Sequence, residues 1–169
     1  MTRINGSKKL EDMKTNDNIG VLFDTSFFIR LVNEDDPLFD NAFDYFEKFS
    51  QINFSCKISS IALAEYLVKG KMDDLPDNLS IVAFNRKHAV TAGDFMRTVL
   101  TEKQNRGAKF PMRTIVPNDT KMFAQAHSES DIKYFVSADS EAKKVYDMLP
   151  EHDFEFIDIN ISCKEFFKN

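Results

Sequence analysis

Tryptophan is absent from this chain of 169 residues, and cysteine and long apolar runs are scarce. The two cysteines, Cys56 and Cys163, form no CxxC pair and stand in apolar surroundings, which is typical of buried thiols in a reducing cytosol. No apolar stretch has the length of a signal peptide core or of a membrane span. These absences lead us to expect a cytoplasmic protein that has no membrane partner.

The motifs of several common enzyme classes are also missing. The sequence has no GxxxxGK[ST] or GxGxxG, so a loop that binds nucleotide phosphates is unsupported. It has no GxSxG, and neither cysteine has a histidine nearby, so the chemistry of serine or cysteine hydrolases is unsupported as well. The carboxylates are therefore the first candidates for a reactive site.

The charge balance is acidic, with a net charge of -5 and a pI of about 5.2. This balance argues against a broad electrostatic grip on nucleic acid. The stretch between Met96 and Pro117 departs from it, because Glu102 is its one acid. Its basic residues are either a solvated helix face or an edge that contacts phosphates. They are Arg97, Lys103, Arg106, Lys109 and Arg113.

Short apolar runs that predict strands alternate with helical patterns along the chain, which favours a parallel sheet covered by helices. We expect a flexible polar arm over residues 1–18 and a single domain over 19–169. The predicted fold class is α/β, a three-layer α/β/α sandwich with a central, mainly parallel sheet of about five strands. The predicted strands are 19–23, 52–60, 79–84, 132–137 and 154–159. The predicted helices are 27–32, 38–49, 61–70, 86–104, 118–130 and 140–149.

Four acidic residues occupy positions that this architecture brings together. Asp24 and Asp139 follow predicted strands, and ligands of parallel α/β sheets bind at the carboxyl ends of the strands. Glu65 lies in an apolar helix, and Asp119 lies in the first turn of a helix, where the helix dipole favours an anion. A cluster of carboxylates needs a cation to neutralise it, and a divalent metal is the simplest candidate.

Each acid also has a structural explanation when it is taken alone. Asp24, Asp119 and Asp139 are all placed where a helix N-cap or first-turn acid is common, and Glu65 could be a partly exposed helix position. The DTS motif at 24–26 also occurs in other α/β proteins. A haloacid-dehalogenase-type phosphatase requires a second Asp where Ser26 stands, and a von Willebrand A-type site requires a Ser where Phe28 stands. The hypothesis of a site depends on the joint occurrence of the four acids.

The order and context of these acids resemble the PIN-domain ribonucleases, including the toxins of VapBC-type toxin–antitoxin pairs. In that family an Asp ends the first strand in a D-T-N or D-T-S motif, a Glu follows a Ser-containing strand, a third acid opens a D-x-x-I-x-A-x-A helix, and a T-x-D motif follows a later strand. The matching segments are DTS at 24–26, SSIALAE at 59–65, DTKMFAQA at 119–126 and SAD at 137–139. The resemblance covers residues 19–159.

The resemblance implies a ribonuclease that depends on Mg²⁺ or Mn²⁺. Asp24, Glu65, Asp119 and Asp139 would be the catalytic, metal-ligating residues, and Thr25, Ser26 and Ser137 would supply hydrogen bonds around them. Glu141 stands where many relatives carry a further acid. An RNA substrate, an antitoxin partner and a homodimer are implied in the same way. The alternative functions are a PIN-like module that binds RNA or protein without cutting, and a metal-dependent phosphatase that acts on small phosphoesters.

Overall fold

A computed structural model describes residues 18–106 and 116–168. Its centre is a parallel sheet of five strands in the order β3-β2-β1-β4-β5. The fold class predicted from the sequence is therefore confirmed. The expected arm over 1–18 lies almost wholly outside the described residues and stays a prediction. The strands are β1 (Gly20–Phe23), β2 (Ser55–Ser59), β3 (Ser80–Val82), β4 (Ile132–Ser137) and β5 (Glu155–Asp158).

Seven α-helices pack around this sheet in the described ranges. They are α1 (Thr25–Leu31), α2 (Phe39–Gln51), α3 (Ser60–Tyr66), α4 (Arg86–Asn105), α5 (Asn118–Ser128), α6 (Ser140–Tyr146) and α7 (Cys163–Lys168). A short 3₁₀-helix (Met72–Asp74) lies between α3 and β3. None of the helices found in these two ranges has the length and the apolar character that crossing a membrane requires.

Helix α3 ends earlier than the sequence pattern predicts. The apolar run extends to Gly70, but the helix stops at Tyr66 and the chain then turns back over the Tyr66 ring. A Cβ atom at Gly70 would collide with this ring, so the close approach of backbone and ring favours glycine at that position. Glu65, one residue before the end of α3, is exposed.

The core is rich in phenylalanine and is centred on β1, whose residues are all buried. The ring centroids of Phe23 and Phe27 lie 4.3 Å apart, and the Phe23 ring also contacts Phe49 of α2. Phe49 is fully buried, whereas Phe43 on the same helix is 49% exposed. The aromatic stripe of α2 therefore serves mainly the core, and both cysteines are buried free thiols, as the sequence predicts.

The strand order reverses beside β1. The chain builds from β1 through β2 to β3 on one side of the sheet, and it then crosses to add β4 and β5 on the other side. The carboxyl ends of β1 and β4, paired at Phe23 and Val136, therefore form the rim where α/β sheets bind ligands. Asp24 directly follows β1, and the SAD segment at 137–139 begins with the last residue of β4.

Candidate active site

Asp24 is a buried carboxylate at the centre of the rim. It is 3% exposed, it ends β1, and its backbone N–H donates to the carbonyl oxygen of Val136 across the strand pair at 3.1 Å. Its Oδ1 accepts a hydrogen bond from the Phe27 N–H at 2.9 Å, so Asp24 is also the N-cap of α1. The capping alternative is thus confirmed, and it fixes the direction of the side chain.

Two serine hydroxyls connect Asp24 to the segment that follows β4. The Ser137 hydroxyl donates to Asp24 Oδ2 at 2.5 Å and accepts from the Asp139 N–H at 2.9 Å. The Ser26 hydroxyl donates to Asp24 Oδ1 at 2.8 Å and accepts from the Ala138 N–H at 3.0 Å. Both hydroxyls therefore have the same bonding pattern, and together they tie one carboxylate to two backbone amides of the neighbouring strand end.

Asp139 lies on the same rim and caps the next helix. Its Oδ1 accepts from the Glu141 N–H at 2.7 Å, at the start of α6. The Glu141 carboxylate itself lies 2.6 Å from the Lys144 ammonium, and its side chain is 73% exposed. Glu141 thus contributes a backbone amide to Asp139, while its own side chain is paired at the surface.

Glu65 and Asp119 reach the site from two helices. Glu65 is exposed near the end of α3, yet both of its carboxylate oxygens have partners. Oε1 accepts from the Asn118 side-chain amide at 2.5 Å, and Oε2 accepts from the Thr25 hydroxyl. Asp119 is the second residue of α5 and is half-buried.

The electrostatics connect the four acids. The pKa of Asp24 is raised to about 6, mainly by burial and to a smaller extent by the charge of Asp139, against the lowering effect of hydrogen bonds from Ser137, Ser26 and Phe27. Burial also raises the pKa of Asp119 to about 6, and the charges of Asp24, Asp139 and Glu65 add to the shift. Asp119 is therefore close enough to the other three carboxylates to feel their charges.

The chemistry of these side chains suits a hard divalent cation. The donors around the rim are carboxylate and hydroxyl oxygens, the ligands that Mg²⁺ and Mn²⁺ prefer. Within residues 18–106 and 116–168, no three His, Cys, Asp or Glu side chains are arranged as a ready-made metal site. Asp24, Glu65 and Asp139 are instead bonded to nearby hydroxyls and amides. Metal ligation by the four acids stays a prediction.

Two residues on this rim were not anticipated from the sequence. Asn118 bonds to Glu65, and nothing in the sequence except its place beside Asp119 indicates such a role. Asp158 ends β5 opposite Ser137 and accepts hydrogen bonds from the backbone and the side-chain amide of Asn160. The position of Asp158 at a strand end, like those of Asp24 and Asp139, was a signal that could have identified it.

The basic stretch on α4 runs toward the acids. Successive contacts from His88 to Glu129 and from Phe95 to His127 make α4 antiparallel to α5. The last turn of α4, with Lys103 and the following Arg106, therefore points toward the end of α5 that carries Asp119.

Two of the basic candidates, Arg97 on α4 and Arg106 directly after it, are paired with acids of α4. Arg97 pairs with Asp94, and Arg106 lies 4.0 Å from Glu102. This pairing agrees with the interpretation of a solvated helix face. The two remaining basic candidates, Lys109 and Arg113, lie outside the described residues.

A groove of about 820 Å³ begins at the helix side of the site. Thr25 and Glu65 line one part of it, and Ile29, Val32 and Val68 line another part with apolar surface. These three aliphatic side chains are all exposed, Val68 by 77%. An apolar surface therefore continues directly from the carboxylates between α1 and α3.

No protein-family model matches the sequence, and no curated protein matches it either. Solved structures do match the fold. The VapBC2 structure from Rickettsia felis, bound to a DNA fragment from its promoter, is 20% identical, with a TM-score of 0.54 over 82% of this chain and 98% of that chain. The DNA-bound VapBC structure from Salmonella typhimurium is 16% identical, with a TM-score of 0.53 over 83% of this chain and 98% of that chain. The chain therefore has a PIN-domain fold of the VapC type, as its four motifs predict.

Proposed function

We propose that this protein is a Mg²⁺- or Mn²⁺-dependent ribonuclease that cleaves RNA phosphodiesters, and that it acts as the toxin of a toxin–antitoxin pair. One observation carries the proposal. Hydrogen bonds connect the segments that carry the four acids: Ser137 bonds to Asp24 and to the Asp139 N–H, and Glu65 bonds to Thr25 and Asn118, the sequence neighbours of Asp24 and Asp119. The pKa of Asp119, raised to about 6 by burial and by the charges of Asp24, Asp139 and Glu65, agrees with this grouping. Carboxylates grouped in this way at a strand-order reversal are typical of a cation site.

The strand-end acids would provide the rigid part of that site. Asp24 and Asp139 would be ligands held by β1, β4 and their caps, and Asp119 and Glu65 would complete the shell from the helices. Ser26 and Ser137 would keep the Asp24 carboxylate in one orientation through their bonds to both of its oxygens. A divalent ion bound there would supply charge stabilisation for the phosphodiester and an activated water.

The substrate class is supported by charge and by the fold. An acidic pocket accepts a polyanion only when cations offset the repulsion, and Lys103 and Arg106 lie at the end of α4 that points toward Asp119. Both similar structures are VapBC complexes, which supports the toxin assignment. The buried free thiols of Cys56 and Cys163 agree with a cytoplasmic location.

The decisive test compares the purified wild type with Asp24→Asn in Mg²⁺ and in Mn²⁺, on a mixed RNA substrate. Asparagine keeps the side-chain oxygen that caps α1, so the variant should fold while its cleavage falls below detection. Asp77→Asn, an exposed change in the turn before β3, is the matched control and should cleave like the wild type.

Undiminished cleavage by Asp24→Asn would contradict the proposal. RNA binding without cleavage in the wild type would favour the non-catalytic binding module, and hydrolysis of a generic phosphomonoester would favour the phosphatase alternative.

We infer that the antitoxin partner occupies the apolar groove beside Glu65. Its exposed aliphatic wall offers a hydrophobic contact, and its acidic end is complementary to a basic side chain of the partner. A homodimer through another face stays a prediction.

The test of this groove is co-expression with the protein encoded by the neighbouring gene. Ile29→Asp and Val68→Asp should each dissociate the complex while circular dichroism stays unchanged. Phe43→Asp, at an exposed site on α2, is the control. A complex that survives both groove changes would overturn this location.

A further inference from the structure

The side-chain amide of Asn118 lies between two groups of opposite charge. Its Nδ2 donates to Glu65 Oε1 at 2.5 Å, and its Oδ1 accepts from the Lys121 ammonium at 3.0 Å. Glu65 belongs to α3, whereas Asn118 and Lys121 occupy the first turn of α5. This row of three side chains therefore connects the two helices that carry Glu65 and Asp119.

The chemistry of the two neighbours allows only one orientation of the amide. An ammonium group can only donate hydrogen bonds, and an ionised carboxylate can only accept them. The amide oxygen must therefore face Lys121, and the amide nitrogen must face Glu65. Turning the amide over would break both hydrogen bonds, because its oxygen would then face the Glu65 carboxylate and its NH₂ group would face the Lys121 ammonium.

Glu65 needs such a partner more than Asp24 does. It is exposed on the last turn of a short helix, where a glutamate side chain samples several rotamers and loses entropy when one is selected. Asp24 is instead fixed by burial, a helix cap and two serines. Thr25 bonds to one Glu65 oxygen and Asn118 to the other, so both oxygens are held in place.

We propose that Asn118 is a positioning residue that holds the Glu65 carboxylate toward the other three acids, and that Lys121 fixes the orientation of the Asn118 amide. The hydrogen-bond network is observed in the structure and can be tested without any enzymatic activity. Its effect on cleavage rests on the proposed ribonuclease function, so the two parts are tested separately.

The first experiment is an NMR measurement on the metal-free protein, which needs no activity. The Asn118 side-chain NH₂ resonances are assigned in the wild type, in Glu65→Ala and in Lys121→Met. Loss of either partner should move these resonances, because each removes a charged hydrogen-bond partner of the amide. Glu47→Ala, at an exposed helical glutamate, and Lys164→Met, at an exposed helical lysine, should leave them in place. Unmoved resonances in Glu65→Ala would overturn the proposal, whether or not the protein cleaves RNA.

The second experiment is a double-mutant cycle on kcat, KM and the Kd for Mn²⁺. Asn118→Ala should lower kcat or Mn²⁺ affinity by about 10–100-fold in the wild type, the usual effect of a group that orients a ligand. In a Glu65→Ala background the same change should have less than about a 2-fold effect, because its partner is already absent. Asn78→Ala, at an exposed position in the turn before β3, is the control and should change nothing.

The cycle distinguishes positioning from a general structural effect. An equal loss in both backgrounds would mean that Asn118 acts through helix stability, and it would overturn the positioning role. If the wild type neither cleaves RNA nor binds Mn²⁺, the proposed function fails, and the NMR result alone decides the hydrogen-bond network.

Discussion

The two halves of the candidate site hold carboxylates of the same charge in different ways. The strand-end half comprises Asp24, Ser26, Ser137 and Asp139. The helix half comprises Thr25, Glu65, Asn118 and Asp119. In the strand-end half, the serine hydroxyls bond to Asp24 and to backbone amides after β4, and these contacts are buried or partly buried. In the helix half, the exposed side chain of Glu65 contacts the partly buried side chains of Thr25 and Asn118, and the three residues belong to separate helices.

We expect the hydrogen bonds of the strand-end half to stabilise the fold, and those of the helix half to orient a side chain without stabilising the fold much. A hydrogen bond to a buried charge contributes to the free energy of unfolding, because breaking it leaves the charge without a partner. A hydrogen bond at the surface contributes little to stability, since water replaces it, yet it still selects one rotamer. We therefore expect changes in the strand-end half to reduce both stability and activity, and changes in the helix half to reduce mainly activity.

The largest expected effect is on cleavage. Asp139→Asn should reduce kcat/KM by more than about 100-fold, beyond the range of a group that only orients ligands, because it removes a charge held on the rigid rim. Glu65→Gln should reduce it by about 10–100-fold, because its side chain is exposed and its partners can still hold the amide oxygen. Steady-state kinetics in Mg²⁺ measure both variants. A larger decrease in kcat/KM for Glu65→Gln than for Asp139→Asn would contradict the expectation that the strand-end half matters more for cleavage.

The next effect is on stability without metal. Ser137→Ala should lower the free energy of unfolding by about 2 kcal/mol, because it leaves a buried oxygen of Asp24 without its donor. Thr25→Val, which removes the corresponding hydroxyl in the helix half and keeps the shape, should change it by less than about 0.5 kcal/mol. Urea unfolding measures both. Similar losses in the two variants would show that the halves are not held differently.

The smallest effect is a pH dependence that comes from Asp24. Its pKa rises from 3.8 to about 6 on folding, so the folded state binds the proton more tightly than the unfolded state. Stability from this group is therefore gained below pH 6 and lost as the pH rises through 6. Between about pH 7.5 and about pH 5 the wild type should gain about 1 kcal/mol relative to Asp24→Asn, measured by urea unfolding in EDTA. Parallel pH profiles for the two proteins would contradict the raised pKa.

Much of the strand-end half follows from local pattern. A buried apolar strand before Asp24 and another before Ser137 are enough to predict two strand ends, and parallel topology then makes them neighbours. The prediction that Asp24 caps a helix is correct for the same local reason. Asp24 can cap α1 and also belong to the site, because the hydrogen bond of the cap holds its carboxylate in one orientation.

The helix half could be predicted only in part. The position of Glu65 on a helix was evident, but its pairing with Asn118 depends on how α3 and α5 pack across more than fifty residues of sequence. No pattern within either helix indicates that the Glu65 and Asn118 side chains will meet. The sequence does not predict the early end of α3, because the apolar run continues past Tyr66. The close approach of the Gly70 backbone to the Tyr66 ring is a packing contact that appears only in the folded chain. The role of Lys109 and Arg113 stays a prediction.

Calorimetric titration of Mn²⁺ into the EDTA-treated and desalted protein tests the central claim, that the four acids bind a divalent cation, most directly. The wild type should give a saturable binding heat, and Asp139→Ala should bind at least about 10-fold more weakly. Asp77→Ala should bind like the wild type. Absence of metal heat in the wild type, or equal binding by wild type and Asp139→Ala, would contradict the account.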